Sequence, residues 1–243
     1  IEIVFHLAAL ASVPRSMEDP EASYQHNVAA TMGLILASRD AGVRRIVYSS
    51  SSSVYSDTEV LPKVESMEPL PRSPYAAYKL AGEQMIRACA RAGVLEGAAL
   101  RYFTVFGPRQ SPTSAYAAVV PIFMQAARDG TAAPIFGDGG QTRDFTYVDN
   151  VVSANLLAGF GPAERVNGTV CNVGAGDRTS LLDLVTLISE VSGRPLAVTH
   201  LPTRDGDVRA SLASMERAQD RLGYRVEVDL REGLRRTWDW FQG

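Results

Sequence analysis

The 243-residue sequence is poor in several features, and each scarcity excludes a class of protein. No apolar run approaches the roughly 18–20 residues that a membrane-spanning helix needs, so no membrane partner is expected. The two cysteines, Cys89 and Cys171, lie far apart without Cys-x-x-Cys spacing, which is typical of buried thiols in a reducing cytoplasm. The three histidines show no metal-ligand spacing, so we expect no metal site.

Lysine is also scarce, since Lys63 and Lys79 are the only two and the other basic residues are arginines. The formal net charge of −3 at pH 7 argues against a nucleic-acid partner. The remaining composition is that of a globular protein, with 46% hydrophobic and 21% charged residues. Disorder and fibrous repeats are therefore excluded, and the length suits one large domain or two unequal ones.

Strand and helix signals alternate over the first half of the chain. The pattern predicts strands over 1–9, 44–50 and 97–106, with helices over 20–41 and 73–92 between them. This β-α-β-α-β order predicts an α/β fold with a doubly wound parallel sheet.

Beyond Pro108 the pattern becomes mixed, which predicts a smaller lobe packed against the sheet. We expect one unit over 1–108 plus 146–174 and a second over 109–145 plus 175–243. The elements predicted after Pro108 are helices near 115–129, 149–160, 180–192, 213–222 and 230–241, and strands near 134–136, 143–148, 168–173 and 196–200.

Tyr75 and Lys79 begin the second predicted helix in the spacing Tyr-x-x-x-Lys. Residues four apart share one helix face, and a nearby cation favours the phenolate form of tyrosine and lowers its pKa from about 10. This pair is a candidate general base with its partner. Taken alone, the spacing equally fits an amphipathic helix with a snorkelling lysine.

A run of five serines, residues 49–53, follows the predicted strand over 44–50. A serine run is usually a flexible linker, but this one lies at the carboxyl end of a strand, where ligands bind in open α/β sheets. Ser51 precedes Tyr75 by one strand-to-helix connection, so the sequence predicts that the two meet over one site.

Together these features resemble the extended short-chain dehydrogenase/reductase superfamily, and within it the nucleotide-sugar epimerases. The resemblance covers essentially the whole chain and implies a Rossmann-like sheet that binds NAD, with a lobe for a UDP-sugar. The other motifs that carry it are His-Leu-Ala-Ala at 6–9, Leu-Arg-Tyr-Phe at 100–103, Gly-Asp-Gly at 137–139, Arg-Asp-Phe at 143–145 and Arg-Asp-Gly-Asp at 204–207.

The resemblance implies roles for individual residues. The implied catalytic residues are Ser51, Tyr75 and Lys79. The implied cofactor contacts are Leu7, Ala8, Ala9, Asn27, Tyr75, Lys79 and Phe103. The implied substrate contacts are Ser52, Ser53, Thr104, Val120, Arg143, Arg204, Asp207 and Ser211, of which Arg204 suits a diphosphate and Asp207 a ribose diol.

The chain also departs from the family pattern. The Gly-rich turn that seats the cofactor pyrophosphate is absent, and the chain begins at Ile1 inside a predicted strand. We therefore expect an N-terminal segment of two βα units to precede Ile1, and we expect this chain alone to be inactive. Thr104 stands where the family commonly has Asn, Ser56 where it has Gly, and Tyr78 where it has Ser.

The resemblance implies NAD-dependent 4-epimerisation of a UDP-hexose through a transient 4-keto intermediate, in a cytoplasmic homodimer. Serine at 211 faces the sugar C2 substituent in this family and leaves room for an acetamido group, so UDP-N-acetylglucosamine and UDP-N-acetylgalactosamine are the expected pair. The alternatives are a nucleotide-sugar dehydratase or decarboxylase of the same superfamily, or an inactive binding module. The three consecutive serines at 51–53 leave no carboxylate where a dehydratase has its acids.

Overall fold

The computed structural model describes residues 1–56, 58–113, 118–203 and 208–242. The strands are β1 (Ile3–His6), β2 (Arg45–Ser51), β3 (Glu96–Tyr102), β4 (Thr104–Phe106), β5 (Ala133–Phe136), β6 (Thr142–Arg143), β7 (Phe145–Tyr147), β8 (Thr169–Val173), β9 (Thr179–Ser180) and β10 (Val198–Leu201). The α-helices are α1 (Val13–Glu18), α2 (Pro20–Tyr24), α3 (Ala30–Asp40), α4 (Pro74–Arg91), α5 (Val119–Asp129), α6 (Val148–Phe160), α7 (Ala163–Val166), α8 (Leu181–Ser192), α9 (Glu216–Leu222) and α10 (Leu230–Gln242).

The central sheet has four strands in the order β1-β2-β3-β8, and all of its pairs are parallel. Its strands are interior runs of apolar residues; Ile46, Val47, Ala98 and Leu100 are fully buried. The predicted α/β fold with a parallel sheet is therefore confirmed. Because all four strands run the same way, their carboxyl ends meet at one edge of the sheet.

The predicted strand over 97–106 divides into β3 and β4 at Phe103. The amide of Phe103 donates to the carbonyl of Val173 in β8, whereas the amide of Thr104 donates to the carbonyl of Asp144 (both 3.0 Å). β4 then pairs in parallel with β7. The chain thus changes partner strand at one residue, which a run of strand-forming residues does not reveal.

The predicted helix over 20–41 contains a π-helical turn (Gln25–Ala29) between α2 and α3. The side-chain amide of Asn27 donates to the carbonyl of Ser23 at 2.8 Å and so enters the helical hydrogen-bond ladder. A group inserted into the ladder is a common cause of such turns, which are frequent at functional sites.

Three buried clusters form the core within the part of the chain that the structure describes. One packs α5, α8 and α10 around Phe123, Leu184 and Trp238. A second lies on one face of the central sheet and extends to Tyr224, and a third lies between the sheet and α4, around Ile86. The division into 1–108 plus 146–174 and 109–145 plus 175–243 stays a prediction. Among the described residues, no helix combines the length and apolarity required to cross a membrane.

α4 packs closely against β2 at Gly82. A Cβ atom at this position would lie 2.3 Å from the hydroxyl oxygen of Tyr48, and Tyr48 is only 1% exposed. The buried ring cannot move aside without displacing its neighbours in the core. Glycine at this position therefore sets the distance between α4 and the sheet.

Gly82→Ala is expected to destabilise the protein by about 1–3 kcal/mol, because the added methyl group overpacks the contact with Tyr48. Gly33→Ala is the matched control, since a Cβ atom on this helical glycine would meet nothing within 4 Å. That variant should be neutral or more stable, by up to about 1 kcal/mol. Urea unfolding of the two variants measures the difference, and equal stabilities would contradict the proposed contact.

Candidate active site

A cavity of about 550 Å³ lies at the carboxyl edge of the central sheet, beside the ends of β2 and β3. Its walls come from both halves of the chain. The lining residues are Val13, Met17, Ser51, Ser52, Ser53, Ser56, Lys63, Arg72, Ser73, Tyr75, Ala76, Phe103, Thr104, Arg143, Val208, Ala210 and Ser211.

The serine run is ordered secondary structure. Ser51 ends β2 and caps a 3₁₀ turn (Ser52–Tyr55), in which the amide of Ser53 donates to the Ser51 hydroxyl at 3.2 Å. Ser49 hydrogen-bonds the hydroxyl of Tyr102, while Ser50 donates to the Glu83 carboxylate at 3.1 Å. The strand alternates its side chains between the two sheet faces, and Ser51 is left at the cavity.

The turn after this 3₁₀ segment is strained. Ser56 has φ 56° and ψ −155°, a conformation that favours glycine. This is the position at which the resembled family has glycine, and the serine lines the cavity.

Tyr75 lies in the first turn of α4. Ser73 caps this helix by accepting the amide of Ala76 at 3.2 Å, and Pro74 occupies the first position, where its missing amide proton has no cost. The amide of Tyr75 donates to the Ser16 hydroxyl of α1 at 3.1 Å. α1 thereby fixes the start of the helix that carries the phenol.

Two opposing effects act on the Tyr75 phenol. Burial raises its pKa above 10, and the hydrogen bond with Ser51 partly counteracts this by lowering the pKa. The prediction that these two residues meet over one site thus agrees with the geometry. The net pKa of Tyr75 is raised, however, whereas the sequence predicted that Lys79 would depress it.

Lys79 lies one turn after Tyr75 and is only 4% exposed. Its Nζ donates to the carbonyl of Ser49 at 2.8 Å and lies 5.9 Å from the Tyr75 ring centroid. Burial lowers the pKa of Lys79 from 10.5 to about 8. No carboxylate among the described residues forms an ion pair with it, so the remaining ammonium protons are available for a ligand.

Four of the residues predicted to contact the cofactor, Leu7, Ala8, Ala9 and Asn27, lie beyond β1 and on the π-helical turn. Leu7 is 58% exposed, and Ala8 and Ala9 follow it outside the strand. The Asn27 amide reaches this segment by donating to the carbonyl of Leu10 at 3.3 Å. The Asn27 Oδ1 atom is buried and has no hydrogen-bond partner. These four residues share the carboxyl edge of the sheet with the cavity but do not line it, whereas Tyr75 and Phe103 do.

The predicted substrate contacts fall into three groups. Ser52, Ser53, Thr104, Arg143 and Ser211 all line the cavity. Arg204 and Asp207 lie outside the described residues. Val120 does not line the cavity: it is 1% exposed and packs into the core cluster of α5, because the apolar face of that helix points inward. Its role as a substrate contact stays a prediction.

Sequence reasoning missed Val13, Met17 and Arg72 as cavity residues. Val13 and Met17 belong to α1, whose N-terminal signal, Ser12 followed by Pro14, was present but not interpreted as a helix start. Arg72 precedes the Ser73 cap and is exposed at the cavity wall.

Comparisons with known proteins agree with this geometry. The NAD dependent epimerase/dehydratase family matches residues 1–174. A UDP-glucose 4-epimerase of Mycolicibacterium smegmatis is 42% identical over 99% of this chain and 76% of that protein. The chain belongs to the NAD dependent epimerase/dehydratase family.

Two solved structures show that this similarity in sequence extends to the three-dimensional fold. The UDP-N-acetylglucosamine 4-epimerase of Methanobrevibacter ruminantium, in complex with UDP-N-acetylmuramic acid, has a TM-score of 0.93 and 40% identity, over 99% of this chain and 76% of that chain. The UDP-glucose 4-epimerase of Thermotoga maritima, with UDP-glucose, has a TM-score of 0.94 and 37% identity, over 99% of this chain and 77% of that chain.

The described residues fit the cofactor of this family, NAD. The Oδ1 atom of buried Asn27 has no hydrogen-bond donor, and the ammonium group of Lys79 has protons beyond the one that it donates to Ser49. The site therefore calls for a group that both donates and accepts hydrogen bonds. Ribose hydroxyl groups supply both. Asn27, Lys79 and the small residues Ala8 and Ala9 are therefore the residues of this chain that would hold the cofactor.

Lys79→Met tests whether Lys79 is buried as a charged group. In the folded state its pKa is about 8 against 10.5 when unfolded, so the unfolded chain binds more protons between these values and stability rises with pH. The free energy of unfolding of the wild type, relative to the variant, should rise by up to about 3 kcal/mol across that window. Urea unfolding at several pH values measures this, and a pH-independent difference would contradict the burial.

Proposed function

We propose that this chain carries the catalytic centre of an NAD-dependent UDP-sugar 4-epimerase, with UDP-N-acetylglucosamine and UDP-N-acetylgalactosamine as its substrate pair. The observation that carries the proposal is that Ser51 and Tyr75 line one cavity, with the Ser51 side chain beside the Tyr75 phenol and the Lys79 ammonium 5.9 Å from the Tyr75 ring centroid. The relatives named for UDP-sugar 4-epimerisation support the reaction class.

In this mechanism Tyr75 takes the proton of the sugar 4-hydroxyl group and later returns one. When bound, NAD supplies a reversible hydride acceptor, so that the sugar passes through a 4-keto form. Ser51 hydrogen-bonds the same sugar oxygen and favours the ionised phenol. Lys79, held by the Ser49 carbonyl, keeps a positive charge beside the Tyr75 ring at neutral pH.

Tyr75→Phe is expected to lower kcat by about 10²–10⁴-fold in the NAD-loaded enzyme, because only the ionisable oxygen is removed. UDP-sugar binding should remain near normal, since the ring still fills its place in the cavity wall. A coupled epimerisation assay measures turnover, and calorimetry measures binding. Near-normal epimerisation by this variant would exclude Tyr75 as the base.

The acetylated substrate pair is the finer part of the proposal and depends on Ser211. This residue lines the cavity with Ser52 and Ser53, and its amide donates to the carbonyl of Thr142 at 3.2 Å, which fixes its backbone. A small polar side chain leaves volume for an acetamido group and offers it a hydrogen bond. The named activity of the Methanobrevibacter ruminantium protein supports this substrate, whereas the Mycolicibacterium smegmatis and Thermotoga maritima proteins are named for UDP-glucose.

Ser211→Tyr is expected to spare the UDP-glucose and UDP-galactose pair and to exclude the acetylated pair, because the aromatic ring would occupy the acetamido volume. The expected loss of kcat/KM for UDP-N-acetylglucosamine is about 10²-fold or more, the scale at which a pocket rejects a group that does not fit. Ser211→Ala is the control and should accept both pairs. If the tyrosine variant converts the acetylated pair at the parental rate, Ser211 does not select the substrate.

The homodimer and the cytoplasmic location are further parts of the proposal. Large apolar side chains are exposed along α2 and α3, at Tyr24, Met32 and Leu36, and offer a face for a second copy. Cys89 and Cys171 are both free thiols, which agrees with a reducing compartment. The dehydratase alternative remains weaker, since residues 51–53 place hydroxyl groups and no carboxylate at this wall of the cavity.

A further inference from the structure

A second cavity, of about 290 Å³, lies away from the catalytic one and is lined by five arginines. It is bounded by Asn167–Val170, at the amino end of β8, whereas the catalytic cavity lies at the carboxyl ends of β2 and β3. The two cavities share no lining residue. The arginine pocket is defined here by Arg87, Arg101, Arg165, Arg217 and Arg221, with Glu65 as its one acidic residue.

The carboxylates near the pocket compensate only part of these charges, and the tightest pair is that of Arg101 with Glu83 at 2.7 Å. Glu65 lies 3.8 Å from Arg217, but one of its oxygens also accepts the amide of Asn172. Arg221 pairs only loosely with exposed Asp220, at 3.5 Å, and Arg165 binds the backbone carbonyl of that residue instead.

Of the five arginines in the pocket, Arg87 has the fewest contacts that compensate its positive charge. Its only hydrogen bond goes from Nη1 to the side-chain carbonyl of Gln84, at 3.4 Å, and it forms no ion pair with any described residue. Burial lowers the pKa of Arg87, and the charges of Arg91, Arg101 and Arg217 lower it further, although Glu83 opposes them. Like charges are therefore held together here, and carboxylates compensate them only in part.

Two guanidinium nitrogens in the pocket lack an acceptor. The Nε atom of Arg87 is buried and unpaired. Arg101 is only 2% exposed. Its Nε and Nη2 atoms donate to Glu83, whereas its buried Nη1 atom has no hydrogen-bond partner. The Tyr55 ring lies under this guanidinium, and the Tyr55 hydroxyl donates to Asn172. A buried donor without an acceptor is unfavourable, so an anion that accepts from these atoms would be favoured.

We propose that the arginine pocket binds a phosphate-type oxyanion, with a diphosphate group as its preferred ligand. Planar guanidinium groups match phosphate oxygens with paired, charge-assisted hydrogen bonds. A multivalent anion compensates several positive charges at once, whereas a single carboxylate compensates only one. The cavity volume is suited to a small oxyanion group rather than to a complete UDP-sugar.

The test is calorimetric titration of the whole chain with inorganic pyrophosphate at low ionic strength, where charge interactions are least screened. Arg87→Gln and Arg217→Gln should each weaken binding about tenfold or more, the scale of a charge-assisted hydrogen bond. Arg128→Gln is the matched control: it removes the same charge from an exposed helical position that does not line the pocket. It should change the affinity by less than about threefold, as expected of a distant exposed charge.

Further variants separate this pocket from the catalytic cavity and from misfolding. Arg143→Gln removes a cation of the catalytic cavity and should leave one pyrophosphate site intact. Arg217→Lys keeps the charge but loses the fork geometry, so it should bind more weakly than the wild type while unfolding at the same urea concentration. No binding by the wild type, equal weakening by Arg128→Gln, or loss of the site in Arg143→Gln would each overturn the proposal.

Free diphosphate and the diphosphate of a nucleotide share this chemistry, and a parallel titration with ADP distinguishes them. If ADP binds more tightly than pyrophosphate and the advantage is lost in Arg87→Gln, the ligand is a nucleotide. If pyrophosphate binds as tightly or more tightly, the ligand is the free anion. Both results support the pocket, whereas ADP binding that is unchanged in Arg87→Gln and Arg217→Gln contradicts it.

Discussion

The Glu83 carboxylate is the interaction on which the candidate active site depends. It is fully buried and accepts hydrogen bonds from Arg101 of β3 (2.7 and 2.9 Å) and from Ser50 of β2 (3.1 Å). Glu83 lies on the α4 face that also carries Lys79 and Tyr75, one and two turns earlier. Removing one partner of such a buried pair typically costs about 3–5 kcal/mol, because the other charge is left uncompensated. The pair therefore locks the rotation of α4, and with it the approach of Tyr75 to Ser51.

A second buried carboxylate joins the other half of the chain to this frame. Asp144 accepts the amides of Ala175 (2.7 Å), Gly176 (3.1 Å) and Ala213 (3.0 Å), and its carbonyl accepts the amide of Thr104. Burial raises the pKa of Asp144, and the three amides that donate to its carboxylate oppose this by lowering it. The segment after Ala213 is thereby tied to the strand end that bears Thr104. These hydrogen bonds hold the cavity residues Arg143 and Ser211 in place relative to Ser51 and Tyr75.

Periodicity predicted the parallel sheet and the helix that carries Tyr75, because apolar strands and an amphipathic helix leave regular patterns in the sequence. The meeting of Ser51 with Tyr75 was also predictable, since strand ends share one edge of a parallel sheet. The division at Phe103, the π-helical turn at Asn27 and the helix α1 were not predicted, because each depends on tertiary hydrogen bonds such as that from Tyr75 to Ser16. The depressed pKa expected for Tyr75 was wrong for this structure, because spacing alone carries no information about burial.

The central claim is that Ser51 and Tyr75 act as one unit, in which the serine favours the ionised phenol. Its most direct test is the ultraviolet absorbance of tyrosinate as a function of pH. Subtracting the titration of Tyr75→Phe from that of the wild type isolates this phenol among the nine tyrosines. The account predicts that Tyr75 titrates above 10 and that Ser51→Ala raises its pKa further, because the hydrogen bond that lowers it is lost. A Tyr75 titration that is unchanged by Ser51→Ala would contradict the account.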